Sequence, residues 1–157
     1  MNSRSSPSSP LAEQRSPSQL LQEARDLFAI GICIDAAVMA NAAIAVMKDS
    51  LSFAANNPKL ADAYALLAAI CTEVRKNYHG VELKQDYLQH TLDAYRAEIA
   101  CRQLGCETEA LAKAHYFYGR TLAADLGDSR GYQEIAKAMK ILANLAERDG
   151  DRKTPWL

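Results

Sequence analysis

Side chains able to do chemistry are sparse in this chain of 157 residues. The soft donors are three histidines (His79, His90, His115) and four cysteines (Cys33, Cys71, Cys101, Cys106). One metal ion needs all its ligands at about 2.0–2.3 Å. His90 and Cys101 share an expected helix face but lie 11 residues apart, about 16 Å along the axis at 1.5 Å per residue. Cys106 and His115 fail in the same way, so no metal site is expected. Cys101 and Cys106 flank Gly105 and could pair under oxidation, yet a cysteine embedded in a helix behaves as a small apolar residue. Arg75 and His79 fall at i and i+4 of an expected helix end, which reads as a surface pair. The acidic pairs Glu107 with Glu109 and Asp149 with Asp151 fall at helix ends, where a carboxylate favours the dipole of a first turn or stays solvated. There is no glycine-rich phosphate loop after a strand and no nucleophile elbow. The chain is not expected to be an enzyme or to carry a cofactor.

Charge points to no partner either. Lysine and arginine total 18 against 19 aspartate and glutamate, so no net field draws the molecule to nucleic acid or an anionic membrane. The longest apolar run, Phe28 to Ile34, is broken by Gly31 and falls far short of the roughly 20 residues that span a bilayer. The N-terminus lacks the basic-then-apolar order of a secretory signal, which places reduced thiols in the cytoplasm. Residues 1–15 are rich in Ser and Pro and too poor in apolar side chains to offset the entropy of ordering them; they are expected to form a disordered arm. Its Ser6-Pro7 and Ser9-Pro10 steps, with Ser16-Pro17, suit a proline-directed kinase. A single helical domain is expected over 16–148 and a polar tail over 149–157, with Trp156 and Leu157 able to dock.

Hydrophobic spacing then divides 16–148 into helices. Ser16 as N-cap, Pro17 in the first turn and Gln19 completing a capping box start the first, which Gly31 ends near residue 30. The second runs from Asp35 toward Ala55 with Ala36, Val38, Met39, Ala40, Ala43, Ile44, Met47 and Leu51 on a broad stripe. Asn57-Pro58 starts the third, with Leu60, Tyr64, Leu67, Ala68, Cys71 and Val74, ending near Gly80. The fourth, about 83–104, carries Tyr87, Leu88, Leu92, Tyr95 and Ile99 before Gly105. The fifth, about 107–125, carries Leu111, His115, Tyr118, Gly119 and Leu122. After Gly127-Asp128 the sixth carries Tyr132, Ile135, Met139, Leu142 and Leu145. No segment reads as strand. The fold class is all-α, three antiparallel helical hairpins stacked as a short solenoid or bundle. Small residues at Ala24, Ala36, Ala40 and Ala43 let two helix axes approach closely.

The order of large and small residues in each hairpin resembles the tetratricopeptide repeat. Leu20, Ala24, Leu27, Gly31, Ala36, Ala40 and Ala43 match in the first hairpin. Tyr64, Leu67, Ala68 and Cys71 match in the second, and Tyr118, Gly119 and Leu122 in the third. Glu23 departs where a large apolar residue is usual. Equivalent positions Leu20, Tyr64 and His115 are 44 and 51 residues apart, against about 34 in the family, so the hairpins are lengthened.

The resemblance implies a groove lined by the first helix of each hairpin. Leu21, Arg25 and Phe28 would come from the first hairpin. Ala65, Ala69, Thr72 and Glu73 would come from the second, and Lys113, Tyr116, Phe117 and Arg120 from the third. Such a face suits a peptide or partner helix with apolar anchors and some acidic character. The expected function is that of a non-catalytic adaptor or scaffold with a protein or peptide partner. Exposed outer faces of the end hairpins would allow a homodimer. No DNA or membrane partner is expected.

Gly31, Asp35, Ala36, Ala40 and Ala43 also resemble the start of the HEPN family, helical bundles whose active members cut RNA. That resemblance implies an RNA-directed or toxin–antitoxin role, with RNA as partner only in this case. Active members place four to six residues between an Arg and a His that act on phosphate and ribose. Arg75 and His79 have three between them.

Overall fold

The computed structural model describes residues 15–50 and 57–149. The expected arm over 1–15 and tail over 149–157 lie almost wholly outside them, as do Trp156, Leu157 and the expected end of the second helix near Ala55. Six α-helices follow one another among the described residues: α1 (Pro17–Ala29), α2 (Cys33–Asp49), α3 (Pro58–Asn77), α4 (Val81–Gln103), α5 (Glu109–Arg120) and α6 (Arg130–Asp149). There is no strand among the described residues.

Local chemistry sets the helix ends. The Ser16 hydroxyl accepts from the Gln19 N–H at 3.1 Å while the Gln19 side chain accepts from the Ser16 N–H at 2.8 Å, a complete capping box that satisfies two otherwise orphaned donors. At the other end of α1, Gly31 has φ +85°, where a side chain would be strained. Its N–H donates to Phe28 O and that of Ile32 to Leu27 O, the paired bonds of a Schellman stop. The chain reverses so tightly that α2 begins at Cys33, two residues before the expected Asp35. The Asn57 side chain caps α3 through the Lys59 N–H at 2.8 Å, and Thr108 caps α5 through the Leu111 N–H at 3.1 Å. The fifth helix therefore starts at Glu109 rather than 107, and its last turn, Thr121–Asp125, widens into a π-helix.

Each helix packs on the next, most extensively in the pairs α1–α2, α3–α4 and α5–α6. The pairing is antiparallel where side chains report it. Asp62 near the start of α3 meets Arg102 near the end of α4, and Glu107 just before α5 meets Asn144 late in α6. Two apolar clusters result. One joins α1 to α4 around Ala24, Ala36, Ala40, Ala43, Met47, Ile70 and Val74; the other joins Ile99 of α4 to α5 and α6 through Leu111, Ala112, Ala138 and Ile141. Ala24, Ala36, Ala40 and Ala43 are wholly buried, so the small-residue spacing marks the close α1–α2 contact.

The sixth helix keeps part of its expected stripe: Leu142 and Leu145 pack against the second apolar cluster and Ile135 lies against Gly119. Tyr132 and Met139, however, are 68% and 48% exposed, and the most buried positions are Gly131, Ala138 and Ile141. Contact between the Gly119 and Gly131 backbones decides this rotation: a Cβ on Gly119 would lie 2.5 Å from the Gly131 carbonyl oxygen and 2.8 Å from Ile135 Cγ1. The helix must turn its smallest residue to α5, which carries Tyr132 and Met139 outward.

Candidate functional site

Between α3, α4 and α5 runs a cleft with two connected chambers, of about 700 Å³ and about 580 Å³. Thr72, Lys76, Tyr95 and Phe117 line both and join them. The smaller chamber is closed on one side by Phe28 of α1 and floored by Ala65 and Ala69 on successive turns of α3. Its walls carry Asp62, Glu73, Glu98, Arg102 and Lys113. The larger chamber is cationic, with Arg75, Lys76, Lys84 and Arg120 facing the single carboxylate of Asp125.

Most charges in the smaller chamber are already matched. The Arg102 guanidinium donates through Nε to Glu98 and through a terminal nitrogen to Asp62, each at 2.9 Å. Glu98 is buried, and burial pushes its carboxyl above the ordinary range against the opposing pull of Arg102. Arg102 keeps its charge firmly because two carboxylates accept from it. Glu98, the deeper acid, shares that one cation with Asp62, so desolvation dominates there. Burial likewise raises the Tyr95 phenol, which Thr72 meets by a hydrogen bond.

In the larger chamber Arg75 reaches Asp125 at 3.1 Å, tying α3 to the π-helical end of α5. Its side chain is 14% exposed, and its buried Nε has no hydrogen-bond partner. Arg120 stands 5.9 Å over the Tyr116 ring, a cation–π distance. Tyr116 in turn packs edge-on against Phe117 with ring centroids 5.3 Å apart.

Of the residues expected on a groove face, the fold brings Phe28, Ala65, Ala69, Thr72, Glu73, Lys113, Phe117 and Arg120 to this cleft. Leu21 is a correction: it is buried in the first apolar cluster, because the face of α1 that carries Ala24 against α2 also carries Leu21 inward. Arg25 is exposed and lines neither chamber. Tyr116 packs against the second apolar cluster and supports Phe117 from behind. The expectation that only the first helix of each hairpin lines the groove is also revised. Lys84, Leu88, Tyr95, Glu98 and Arg102 of α4 form a wall, since α4 crosses between the two clusters and leaves its polar side to the cleft. Glu98–Arg102 is an i, i+4 acid–base pair, a spacing visible in the sequence and passed over there.

Arg75 and His79 do not share a helix face. Helix α3 ends at Asn77, which leaves His79 exposed in the following turn, while Arg75 points to Asp125. No group of three or more His, Cys, Asp or Glu among the described residues is placed to hold a metal ion. Cys33, Cys71 and Cys101 are buried free thiols and Cys106 is exposed; burial pushes Cys71 up to about 12. His115, buried in α5, meets the Glu134 carboxylate of α6 through Nδ1 at 2.7 Å, a link between helices, and lines neither chamber. No helix among the described residues is long and apolar enough to cross a membrane. The chain matches no protein-family model, no curated protein and no solved structure.

Proposed function

We propose that this chain is a non-catalytic protein–protein interaction module, an adaptor or scaffold of the cytoplasm, which holds a peptide or partner helix in the cleft between α3, α4 and α5. The hairpin pairs are read as a short, lengthened tetratricopeptide-like stack. The observation that carries the proposal is the alternation along one continuous cleft. Ala65 and Ala69 leave room at the floor, Phe28 and Phe117 supply apolar walls, and a cationic chamber follows. Extended or helical segments with apolar anchors and an acidic stretch bury both kinds of side chain in such a channel. Most charged groups around the smaller chamber are paired with one another, which leaves them to orient an occupant rather than to attack it.

The test uses the whole chain as bait in its native host, with bound proteins identified by mass spectrometry. Ala69 is exposed on the cleft floor, so Ala69→Trp fills the cleft without disturbing a core. A partner lost on Ala69→Trp and on Phe117→Ala, with helicity by circular dichroism unchanged, supports the reading. Equal capture by wild type and both variants would sink it.

A further inference from the structure

We infer that the larger chamber is a phosphate-ester site, and that the segment held in the cleft carries a phosphorylated side chain there; this rests on the reading of the cleft as a peptide groove. Four cationic side chains, Arg75, Lys76, Lys84 and Arg120, line the chamber against one carboxylate, Asp125. That carboxylate is bound to Arg75 alone. Lys76 pairs with Glu73 at 3.9 Å, which leaves Lys84 and Arg120 as the chamber's cations with no carboxylate partner among the described residues. The surplus positive charge matches a dianionic phosphate ester better than a single carboxylate, since a phosphorylated side chain brings close to two negative charges and three acceptor oxygens.

The geometry of Arg75 adds an independent reason. Its side chain is largely buried, one terminal nitrogen is engaged by Asp125, and Nε has no acceptor. A buried donor without a partner is costly; this one is closed to solvent, so it gains an acceptor only if the Arg75 side chain shifts toward an anion in the chamber. Arginine suits this task because its planar fork presents several donors at once. The mobile ammonium of Lys84 and the guanidinium of Arg120 close over the anion from the rim, both being exposed. The shared residues Thr72, Tyr95 and Phe117 continue the channel into the apolar chamber, which provides for the peptide on which the phosphate sits. Asp125 occupies Arg75 when the chamber holds no ligand and competes with the incoming phosphate.

The experiment titrates the full chain, labelled with ¹⁵N, with N-acetyl-phosphoserine amide and with N-acetyl-serine amide. The expected result is a saturable shift of the Arg75, Lys76, Lys84 and Arg120 amides with the phosphorylated probe alone. Lys84→Ala with Arg120→Ala, both at exposed positions that leave the fold intact, should weaken binding about tenfold or more. Asp125→Asn should tighten it. Absence of the shift, or equal shifts from both probes, overturns the inference. Tighter binding of adenosine 5′-monophosphate than of the phosphoserine probe at the same amides also overturns it, because the site would then take a nucleotide. The two readings fail separately. A captured partner that depends on Ala69 yet survives phosphatase treatment, with no phosphoserine shift, leaves the groove and removes the phosphate site. Phosphoserine binding with capture indifferent to Ala69→Trp does the reverse.

Discussion

Gly119 and Gly131 are in backbone contact across α5 and α6, so close that a Cβ on either would run into the carbonyl oxygen of the other. Neither glycine is needed for its backbone angles, since both lie within regular helix. They are needed for the absence of a side chain. Gly31 is the opposite case: a left-handed φ with open space around the missing Cβ.

The two kinds of glycine separate on substitution. Gly119→Ala is expected to destabilise by about 3 kcal/mol, the upper part of the overpacking range, because the obstacle is backbone that cannot swing away. Gly31→Ala should lose only about 1 kcal/mol, the cost of a left-handed alanine. Urea midpoints of the two variants check the order, and a larger loss at Gly31 would contradict it.

The Glu98 carboxyl sets a pH dependence. In the unfolded chain it titrates near about 4.3, and in the fold burial raises it. Above about pH 4.3 the folded state therefore keeps a proton that the unfolded state has released. Its contribution to stability is complete below that pH and is lost as the pH rises through the raised native value. Glu98→Gln should flatten this fall in urea midpoints measured from pH 4 to 7. An unchanged slope would show that Glu98 is not its source.

Removal of Arg102 is harsher than removal of its acid. Glu98 is buried with Arg102 as its hydrogen-bonded cation, so Arg102→Ala leaves a carboxylate without compensation, at a cost of about 3 kcal/mol. The double variant Arg102→Ala with Glu98→Gln should recover part of that loss. Additive losses in denaturant unfolding would refute the coupling.

Thiol reactivity tests the burial pattern directly. Of the four cysteines only Cys106 is exposed, and Cys71 stays a thiol at any ordinary pH because burial pushes it up to about 12. One equivalent of an aromatic disulfide reagent should react rapidly with native protein at pH 8, and Cys106→Ser should abolish that phase. Rapid reaction of two or more thiols would show that the helices do not shield Cys33, Cys71 and Cys101.

Helix ends were legible where a short polar or glycine signal acts on adjacent backbone. Ser16 with Gln19, Gly31 and Asn57-Pro58 all fall where their hydrogen bonds or dihedral angles require. Thr108 was equally local and was overlooked, which moved the expected start of α5 by two residues. Several cleft residues, Phe28, Ala69, Thr72, Lys113 and Phe117 among them, were legible only through the assumption of a particular hairpin geometry. Leu21 and Arg25 show the limit of that assumption: residues on one helix can share a stripe in projection and still be divided between core and solvent by a small rotation.

By itself the sequence determined the six described helices, the caps of α1 and α3 and the small-residue seam between α1 and α2, because these depend on side chains within a few positions of one another. Only the tertiary structure decided which way α6 faces, that α4 walls the cleft, and that Arg75 meets Asp125 fifty residues away. Those outcomes depend on distances between backbones that no local pattern encodes. The glycine contact rotates one helix and sends Tyr132 and Met139 outward. The packing of α4 between two apolar clusters leaves its charged side to the cleft.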